Sequence, residues 1–259
     1  MHLYSNDKVT WLTDEKAVPL LRDNPLIDRI IVYSISGVLQ LEDEIFDVVV
    51  NLEKNPGICA LVNRINAWQK YGFRFDPISG TTDAYTMALE ALYVAQDERK
   101  KKSGTKHWLE HLFAIVGHSY ANEEYVMRDV KVPYQGQVLL NYQVGHKFVE
   151  KCWGPGLGHW QGLEALLRAA GLKDINYQHI GMDLDQYIDF IAGHECIVTC
   201  DSLGLHLGMA MGKIVVGLFG PTPAKEIYLY KRGIFIQKDK MLDIDIQDVC
   251  EAVKWAYRK

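Results

Sequence analysis

Short apolar runs alternate with longer amphipathic stretches along almost the whole chain. The short runs are typical of buried strands, and the stretches with helical spacing predict helices. The predicted strands are Val9–Leu12, Arg29–Tyr33, Asp47–Asn51, Gln137–Asn141, Cys196–Thr199 and Ile214–Leu218. The predicted helices are Glu15–Arg22, Gly57–Tyr71, Asp83–Gln96, Lys106–Val116, Trp160–Ala170, Leu184–Ala192, Gly204–Met211 and Asp245–Tyr257. Strands separated by segments of helix length predict an α/β fold, with parallel sheets covered by helices on both faces.

A break between two α/β halves is predicted close to residue 133. The segment 130–136 contains Pro133 and Gly136 and precedes a new apolar strand. Such a break favours a domain boundary, which divides the chain into residues 1–133 and 134–259. Two α/β halves would form a ligand cleft between them, at the carboxyl ends of their strands.

Composition and charge exclude several classes of protein. The 259 residues are 48% hydrophobic and 24% charged, as in a globular protein of one or two domains. The net charge of −5 argues against nucleic acid as a partner. No stretch approaches the ~20 apolar residues of a membrane span, and residues 1–8 lack the apolar core of a signal peptide. Five dispersed cysteines favour reduced thiols in a cytoplasmic protein.

Three short motifs are typical of metal sites but have structural explanations. Residues 107–111 match H-x-x-E-H, which can hold zinc on one helix face, yet no third ligand is identified downstream. An amphipathic helix with its apolar side facing inward is the favoured interpretation. The D-x-D pairs at 183–185 and 243–245 both stand where a helix begins, so N-capping explains them without a metal. We therefore expect no metal site.

Two further motifs are interpreted as structural for similar reasons. The glycines of residues 154–158 resemble part of a dinucleotide loop but lack the preceding strand and the downstream acidic residue, so we expect a flexible loop. Cys196 and Cys200 lie on one face of a predicted strand, with no second pair to complete a zinc site. Buried thiols are expected there.

The strongest signal is a strand that ends in Asp201-Ser202 and is followed at once by a helix rich in small residues. The exposed amides at the start of such a helix form a site for a diphosphate, and His206 lies within reach of the same anion. The alternative is an ordinary βαβ unit in which Ser202 caps the helix. The residues alone leave both interpretations open.

Asp201-Ser-Leu-Gly-Leu-His206, continued by Gly-Met-Ala-Met-Gly-Lys-Ile-Val-Val-Gly-Leu-Phe-Gly-Pro-Thr222, resembles the donor-site signature of glycosyltransferase family 9. This is the family of lipopolysaccharide heptosyltransferases. The segments Val9–Thr13, Asn24–Asp28 and Phe46–Lys54 resemble its N-terminal domain. Lys151-Cys152-Trp153 is similar to its K-x-W segment, whose lysine contacts donor phosphate, and Met182 falls where the family packs a methionine near the adenine.

The resemblance implies two Rossmann-like domains facing a central cleft, the GT-B arrangement. Residues 1–133 would bind the acceptor and residues 134–259 the donor, with the last helix a candidate to pack back on the first domain. It implies inverting transfer of a heptose or related sugar from a nucleotide diphosphate donor such as ADP-heptose. The acceptor would be a lipopolysaccharide core or similar glycan. The resemblance implies that the reaction needs no essential metal or other cofactor. It also implies a protein in the cytoplasm, with a candidate peripheral contact to the inner membrane. The implied donor-binding residues are Lys151, Met182, Asp201, Ser202, Leu203, Gly204 and His206.

Three departures from the family pattern bear on catalysis. The N-terminal domain lacks the family's first strand and the glycine-aspartate loop whose aspartate is the usual candidate base. The stretch between Trp160 and Met182 is short and has no counterpart of the acidic residue that holds the donor ribose, and His146 and Lys147 replace hydroxyl residues. The catalytic base is therefore unassigned. Glu53 is the remaining candidate because it follows a strand at its carboxyl end, with a solvated loop glutamate as the alternative.

The same departures keep a second function open, that of a non-catalytic module which binds a nucleotide sugar or a partner. A third possibility, a sugar-nucleotide epimerase that uses NAD, lacks the required glycine fingerprint.

Overall fold

A computed structural model of the chain describes residues 2–4, 6–145 and 148–258, so His146 and Lys147 lie outside the described residues. The strands are β1 Thr10–Thr13, β2 Arg29–Val32, β3 Ile45–Asn51, β4 Asn66–Asp76, β5 Thr81–Ala84, β6 Gly136–Asn141, β7 Ile175–Tyr177, β8 His194–Cys200, β9 Ile214–Phe219 and β10 Gly233–Gln237. The helices are α1 Val18–Leu21, α2 Ile35–Asp43, α3 Pro56–Arg64, α4 Leu89–Gln96, α5 Glu98–Ser103, α6 Trp108–Ile115, α7 Gly158–Ala169, α8 Leu184–Ala192, α9 Leu203–Ala210 and α10 Ile246–Ala256.

The C-terminal half is built on one parallel sheet of five strands in the order β10-β9-β8-β6-β7. Side chains of β8 alternate between two apolar clusters. Cys196, Val198 and Cys200 face the cluster formed with α7 and α10, whereas Ile197 faces the cluster formed with α8 and α9. Because helices cover both faces, the inner strands are almost completely buried. The predicted parallel sheet and the buried thiols of Cys196 and Cys200 are confirmed.

The last helix packs inside this half. Val249 and Val253 of α10 lie in the same cluster as Trp160 and Leu163 of α7, and α10 also contacts β9 and β10. These packing contacts of α10 are therefore with residues 134–259.

The N-terminal half contains two smaller sheets. The strands β1 and β2 form a parallel pair, and the second sheet has the order β3-β4-β5. In that sheet β3 and β4 are parallel, whereas β4 and β5 form an antiparallel pair. An apolar cluster centred on Ile31, Leu41 and Leu61 joins the first sheet to α2, α3 and β3.

Two predicted helices of this half are wrong in part. The helix predicted over Gly57–Tyr71 ends at Arg64, and β4 begins at Asn66 because Tyr71, Phe73 and Phe75 alternate toward one apolar cluster. The helix predicted over Asp83–Gln96 begins only at Leu89, since residues up to Ala84 form β5.

Residues 116–135, here called the connecting segment, join α6 to β6 without a helix or strand. Tyr120, Tyr125, Met127 and Val130 of this segment pack against the cluster formed by α8 and α9. The segment is therefore fixed to the C-terminal sheet along much of its length. Among the described residues, no helix has the length and apolar character needed to span a bilayer.

Candidate functional site

The candidate site lies at the carboxyl ends of β6 and β8, where α9 begins. Asn141 ends β6 and is aligned with Thr199 of β8, two residues before Asp201. The chain turns at Asp201 and Ser202 and enters α9 at Leu203. Carboxyl ends of adjacent parallel strands are the usual place for ligands in such sheets.

Ser202 stands at the N-cap position of α9, but its side chain does not cap the helix. Its hydroxyl lies 3.1 Å from Thr199 Oγ1 and accepts a 3.3 Å hydrogen bond from Asn141 Nδ2. The interpretation of Ser202 as a side-chain cap is therefore wrong. Within the described part of the chain no side chain caps the first amides of α9, which leaves them available to an anion.

A lysine and an aspartate meet beside this helix terminus. Lys151 belongs to a short 3₁₀ turn, and its Nζ lies 2.5 Å from Asp201 Oδ2. Both side chains are largely buried, so the carboxylate fixes the position of the ammonium group. The ammonium nitrogen also lies 5.1 Å from the centre of the Phe148 ring. An ammonium has three donors, so the pair with Asp201 leaves hydrogen atoms for a phosphate oxygen.

His206 lies on the first turns of α9, close enough to Lys151 and Asp201 to interact electrostatically with both. Its Nδ1 is 3.2 Å from the hydroxyl of Tyr125. Burial lowers the pKa of His206, and the carboxylate of Asp201 opposes part of this effect. The imidazole is therefore neutral at pH 7 and can donate one hydrogen bond through one ring nitrogen.

A buried network holds the start of α9 against the sheet. Asn141 is fully buried, accepts a 2.6 Å hydrogen bond from the Tyr187 hydroxyl and donates a 2.8 Å bond to Thr199 Oγ1. A Cβ at Gly204 would meet the Tyr187 hydroxyl and lie 2.6 Å from Asn141 Nδ2. Glycine is therefore required at this position by the close approach of two side chains.

The sequence pattern did not identify Asn141, Tyr187 or Tyr125 as part of the site. The available signal for Asn141 was a polar residue at the end of an apolar strand, where a buried amide needs partners.

The remaining predicted donor residues lie near this network. Leu203 is the first residue of α9 and is 45% exposed. Met182 is half-buried against the cluster of α8 and α9, just before the residue that caps α8. The structure thus gathers Lys151, Asp201, Ser202, Gly204 and His206 around one helix terminus, with Met182 before the neighbouring helix.

Glu53 occupies a different environment. Its carboxylate accepts hydrogen bonds from the backbone N–H groups of Lys54, at 2.7 Å, and Asn55, at 3.0 Å. Its described hydrogen bonds all stay within residues 51–59, in the loop between β3 and α3. These contacts are those of a carboxylate that organises its own loop.

The short motifs that resemble metal sites serve as helix caps. His107 and Glu110 form a capping box at the start of α6, with the His107 N–H donating to Glu110 Oε2 at 2.8 Å. Asp183 caps α8 and Asp245 caps α10, as predicted. The described residues contain no group of three or more His, Cys, Asp or Glu side chains that could hold a metal ion.

Comparison with known proteins agrees with the signature around α9. Residues 168–249 match the model of glycosyltransferase family 9 (heptosyltransferase). The resemblance to this family is confirmed. The matched segment includes Met182, Asp201 and His206 but not Lys151. No curated protein matches the chain.

Several solved structures share the fold. The E. coli heptosyltransferase WaaC with ADP is 13% identical, with a TM-score of 0.69 over 98% of this chain and 92% of that chain. The E. coli ADP-heptose lps heptosyltransferase II is 14% identical, with a TM-score of 0.71 over 98% and 91%. A family 9 glycosyl transferase from Veillonella parvula DSM 2008 is 17% identical, with a TM-score of 0.70 over 96% and 88%. At such identities the likeness shows a common α/β fold with parallel sheets.

Proposed function

We propose that this chain binds a nucleotide diphosphate sugar, such as ADP-heptose, with the diphosphate at the start of α9. The observation that carries the proposal is the uncapped amino end of α9 with the ammonium of Lys151 and the ring of His206 beside it. The likeness to heptosyltransferases, of which two are named with ADP or ADP-heptose, supports the choice of donor.

The reaction proposed for this site is inverting transfer of a heptose or related sugar to a hydroxyl of a glycan acceptor, such as a lipopolysaccharide core. Negative charge develops on the departing diphosphate as the glycosidic bond breaks. Amides at a helix terminus and a fixed lysine stabilise this charge where it forms, so the reaction does not require a metal ion. Residues 1–133 would form the acceptor side of a GT-B cleft. A cytoplasmic location and a peripheral contact with the inner membrane belong to the same proposal.

One observation favours a second candidate function, a non-catalytic nucleotide-sugar-binding module. Attack by an acceptor hydroxyl needs a base within hydrogen-bond reach. Glu53, the candidate base, uses Oε1 to accept two hydrogen bonds from its own loop, and its described hydrogen bonds reach no residue beyond 51–59. Donor binding without transfer is the function expected if no other carboxylate acts in its place.

Calorimetric titration with ADP tests the donor site. Lys151→Ala is expected to raise the Kd by about 10- to 100-fold, since hydrogen bonds to charged groups contribute roughly 1.5–3 kcal/mol. Lys254→Ala is the matched control, because it also removes one charge from a 2.5 Å lysine–glutamate pair, far along the chain on α10. Equal affinity of wild type and Lys151→Ala would remove Lys151 from the site, and failure of wild type to bind ADP would refute the proposed donor.

Mass spectrometry after incubation with a panel of nucleotide sugars and lipid-core acceptors separates the two candidate functions. A glycosylated product supports the transferase. Donor binding without any product supports the binding module.

A further inference from the structure

The connecting segment contributes a side chain to the donor site. Tyr125 lies in the middle of this segment, and its hydroxyl is 3.2 Å from Nδ1 of His206. Tyr125 and His206 are far apart in sequence, with strands β6, β7 and β8 between them. Their rings nevertheless pack with centroids 5.9 Å apart. A residue without helix or strand structure thus contacts the imidazole that lies beside Asp201 and Lys151.

The backbone on both sides of Tyr125 is anchored. Before it, the carboxylate of Glu124 forms a bidentate pair with Arg232, with distances of 2.9 and 2.7 Å. After it, the carbonyl of Val126 accepts a 2.7 Å hydrogen bond from the buried amide of Asn24. The Tyr125 ring also packs edge-on against Tyr230, at 5.7 Å. These contacts hold the hydroxyl in one place, as expected of a group that orients another.

The chemistry of the two groups sets the direction of their hydrogen bond. Burial raises the pKa of Tyr125 well above neutrality, so its hydroxyl keeps its proton. Burial lowers the pKa of His206, so the imidazole is neutral and carries one proton. Within the described part of the chain, His206 is the hydrogen-bond partner of the Tyr125 hydroxyl. If Nδ1 carried the imidazole proton, the buried hydroxyl hydrogen would lose this acceptor, which is unfavourable for a buried donor.

We propose that Tyr125 is a positioning residue that donates its hydroxyl hydrogen to His206 Nδ1 and thereby places the imidazole proton on Nε2 as a donor to the diphosphate. This inference rests on the proposed donor site. It assigns a role in nucleotide-sugar recognition to the connecting segment, which the sequence pattern treats only as a link between two halves. Fixing the tautomer of a histidine through its second nitrogen is a common way to set which nitrogen faces a ligand.

Nitrogen-15 NMR of the histidine rings tests the contact without ligand. The His206 signals are assigned by their loss in His206→Ala. Wild type is expected to show His206 in the Nε2–H form, and Tyr125→Phe is expected to show a mixture of both tautomers. Tyr120→Phe is the matched control, because the Tyr120 hydroxyl donates to the Glu123 carbonyl and not to His206. This variant is expected to keep the wild-type tautomer of His206. An Nδ1–H form in wild type, or the same tautomer in Tyr125→Phe, would overturn the proposal.

ADP titration of the same variants tests the consequence. Tyr125→Phe is expected to weaken ADP binding by about 3- to 10-fold, the effect of one neutral hydrogen bond. In the His206→Ala background the same change is expected to have no effect, since Tyr125 acts through His206. An equal loss in both backgrounds would overturn the positioning role. If wild type shows the expected tautomer but does not bind ADP, the donor site is refuted while the contact stands.

Discussion

Replacement of Gly204 by alanine is a direct test of the buried network below the start of α9. The new methyl group would meet the Tyr187 hydroxyl and lie 2.6 Å from Asn141 Nδ2, far inside normal contact distances. Both neighbours are themselves fixed, since the Tyr187 hydroxyl donates to Asn141 Oδ1 at 2.6 Å. The methyl group can therefore be accommodated only if this hydrogen bond lengthens or breaks.

The magnitude follows from three terms. Inserting a methyl group into a packed region costs about 1–3 kcal/mol. Loss of the Tyr187–Asn141 hydrogen bond adds about 0.5–1.5 kcal/mol. Replacing a helical glycine by alanine returns up to about 1 kcal/mol. We expect Gly204→Ala to lower the free energy of unfolding by about 0.5–4.5 kcal/mol. We also expect it to weaken ADP binding, because Asn141 also holds Ser202.

Urea denaturation and ADP titration of four variants measure this effect. Gly158→Ala is the control, because Gly158 also lies in the first turn of a helix and a Cβ there meets nothing within 4 Å. It is expected to leave stability unchanged or slightly increased. Adding Tyr187→Phe to Gly204→Ala removes the nearest atom, so the double variant is expected to lose less stability than the two single variants together. Wild-type stability and affinity in Gly204→Ala, or strict additivity in the double variant, would refute the reasoning.

Three other outcomes are expected. ADP binding persists in EDTA, because the helix amides and Lys151 supply the positive potential; loss of binding that magnesium or manganese restores would contradict this. The free energy of unfolding falls as the pH drops below about 6.5, because burial lowers the pKa of His194 and His206 in the folded protein. The unfolded chain therefore takes up protons first, and each histidine lowers the free energy of unfolding by no more than about 1.4 kcal/mol per pH unit. Urea denaturation at pH 7.5 and 5.5 checks the sign, and greater stability at the lower pH would exclude it. Sugar transfer is slow or undetectable unless another carboxylate serves as base; full activity that survives Glu53→Gln would refute both the impaired catalysis and the role of Glu53 as base.

The three inner strands of the C-terminal sheet, β6, β8 and β9, could be predicted because their local signals and their packing agree, whereas the two edge strands, β7 and β10, were not predicted. Apolar strands such as Ile214–Phe219 are buried on both faces, and the helices between them have regular apolar stripes and capping residues such as Asp183 and Asp245. The apolar strands, the helical stripes and the capping residues therefore all indicate the same parallel sheet.

The N-terminal half was harder to predict because its strands carry mixed signals. Strand β4 follows α3 after a single residue, and it contains polar residues such as Gln69 and Lys70 that obscure the alternation of Tyr71, Phe73 and Phe75. Its assignment depends on the parallel pairing with β3, which joins residues such as Ile45 and Asn66 that a local window does not contain together, whereas the hairpin with β5 is a nearby contact.

Some residues of the candidate site can be predicted from a short stretch of sequence, whereas others can be found only from contacts between distant segments. Asp201, Ser202, Gly204 and His206 are consecutive or nearly so, and a short window therefore identifies them together. Asn141, Tyr187 and Tyr125 come from a strand end, a helix and the connecting segment, and each makes at least one hydrogen bond whose partner is far away in sequence. A hydroxyl or amide in such a place has no periodicity to mark it. Its role becomes visible only when the fold brings its partner within 3.2 Å or less, as for Tyr125 and His206. The chemistry of the helix terminus is thus local, whereas the groups that orient it depend on the whole sheet being assembled.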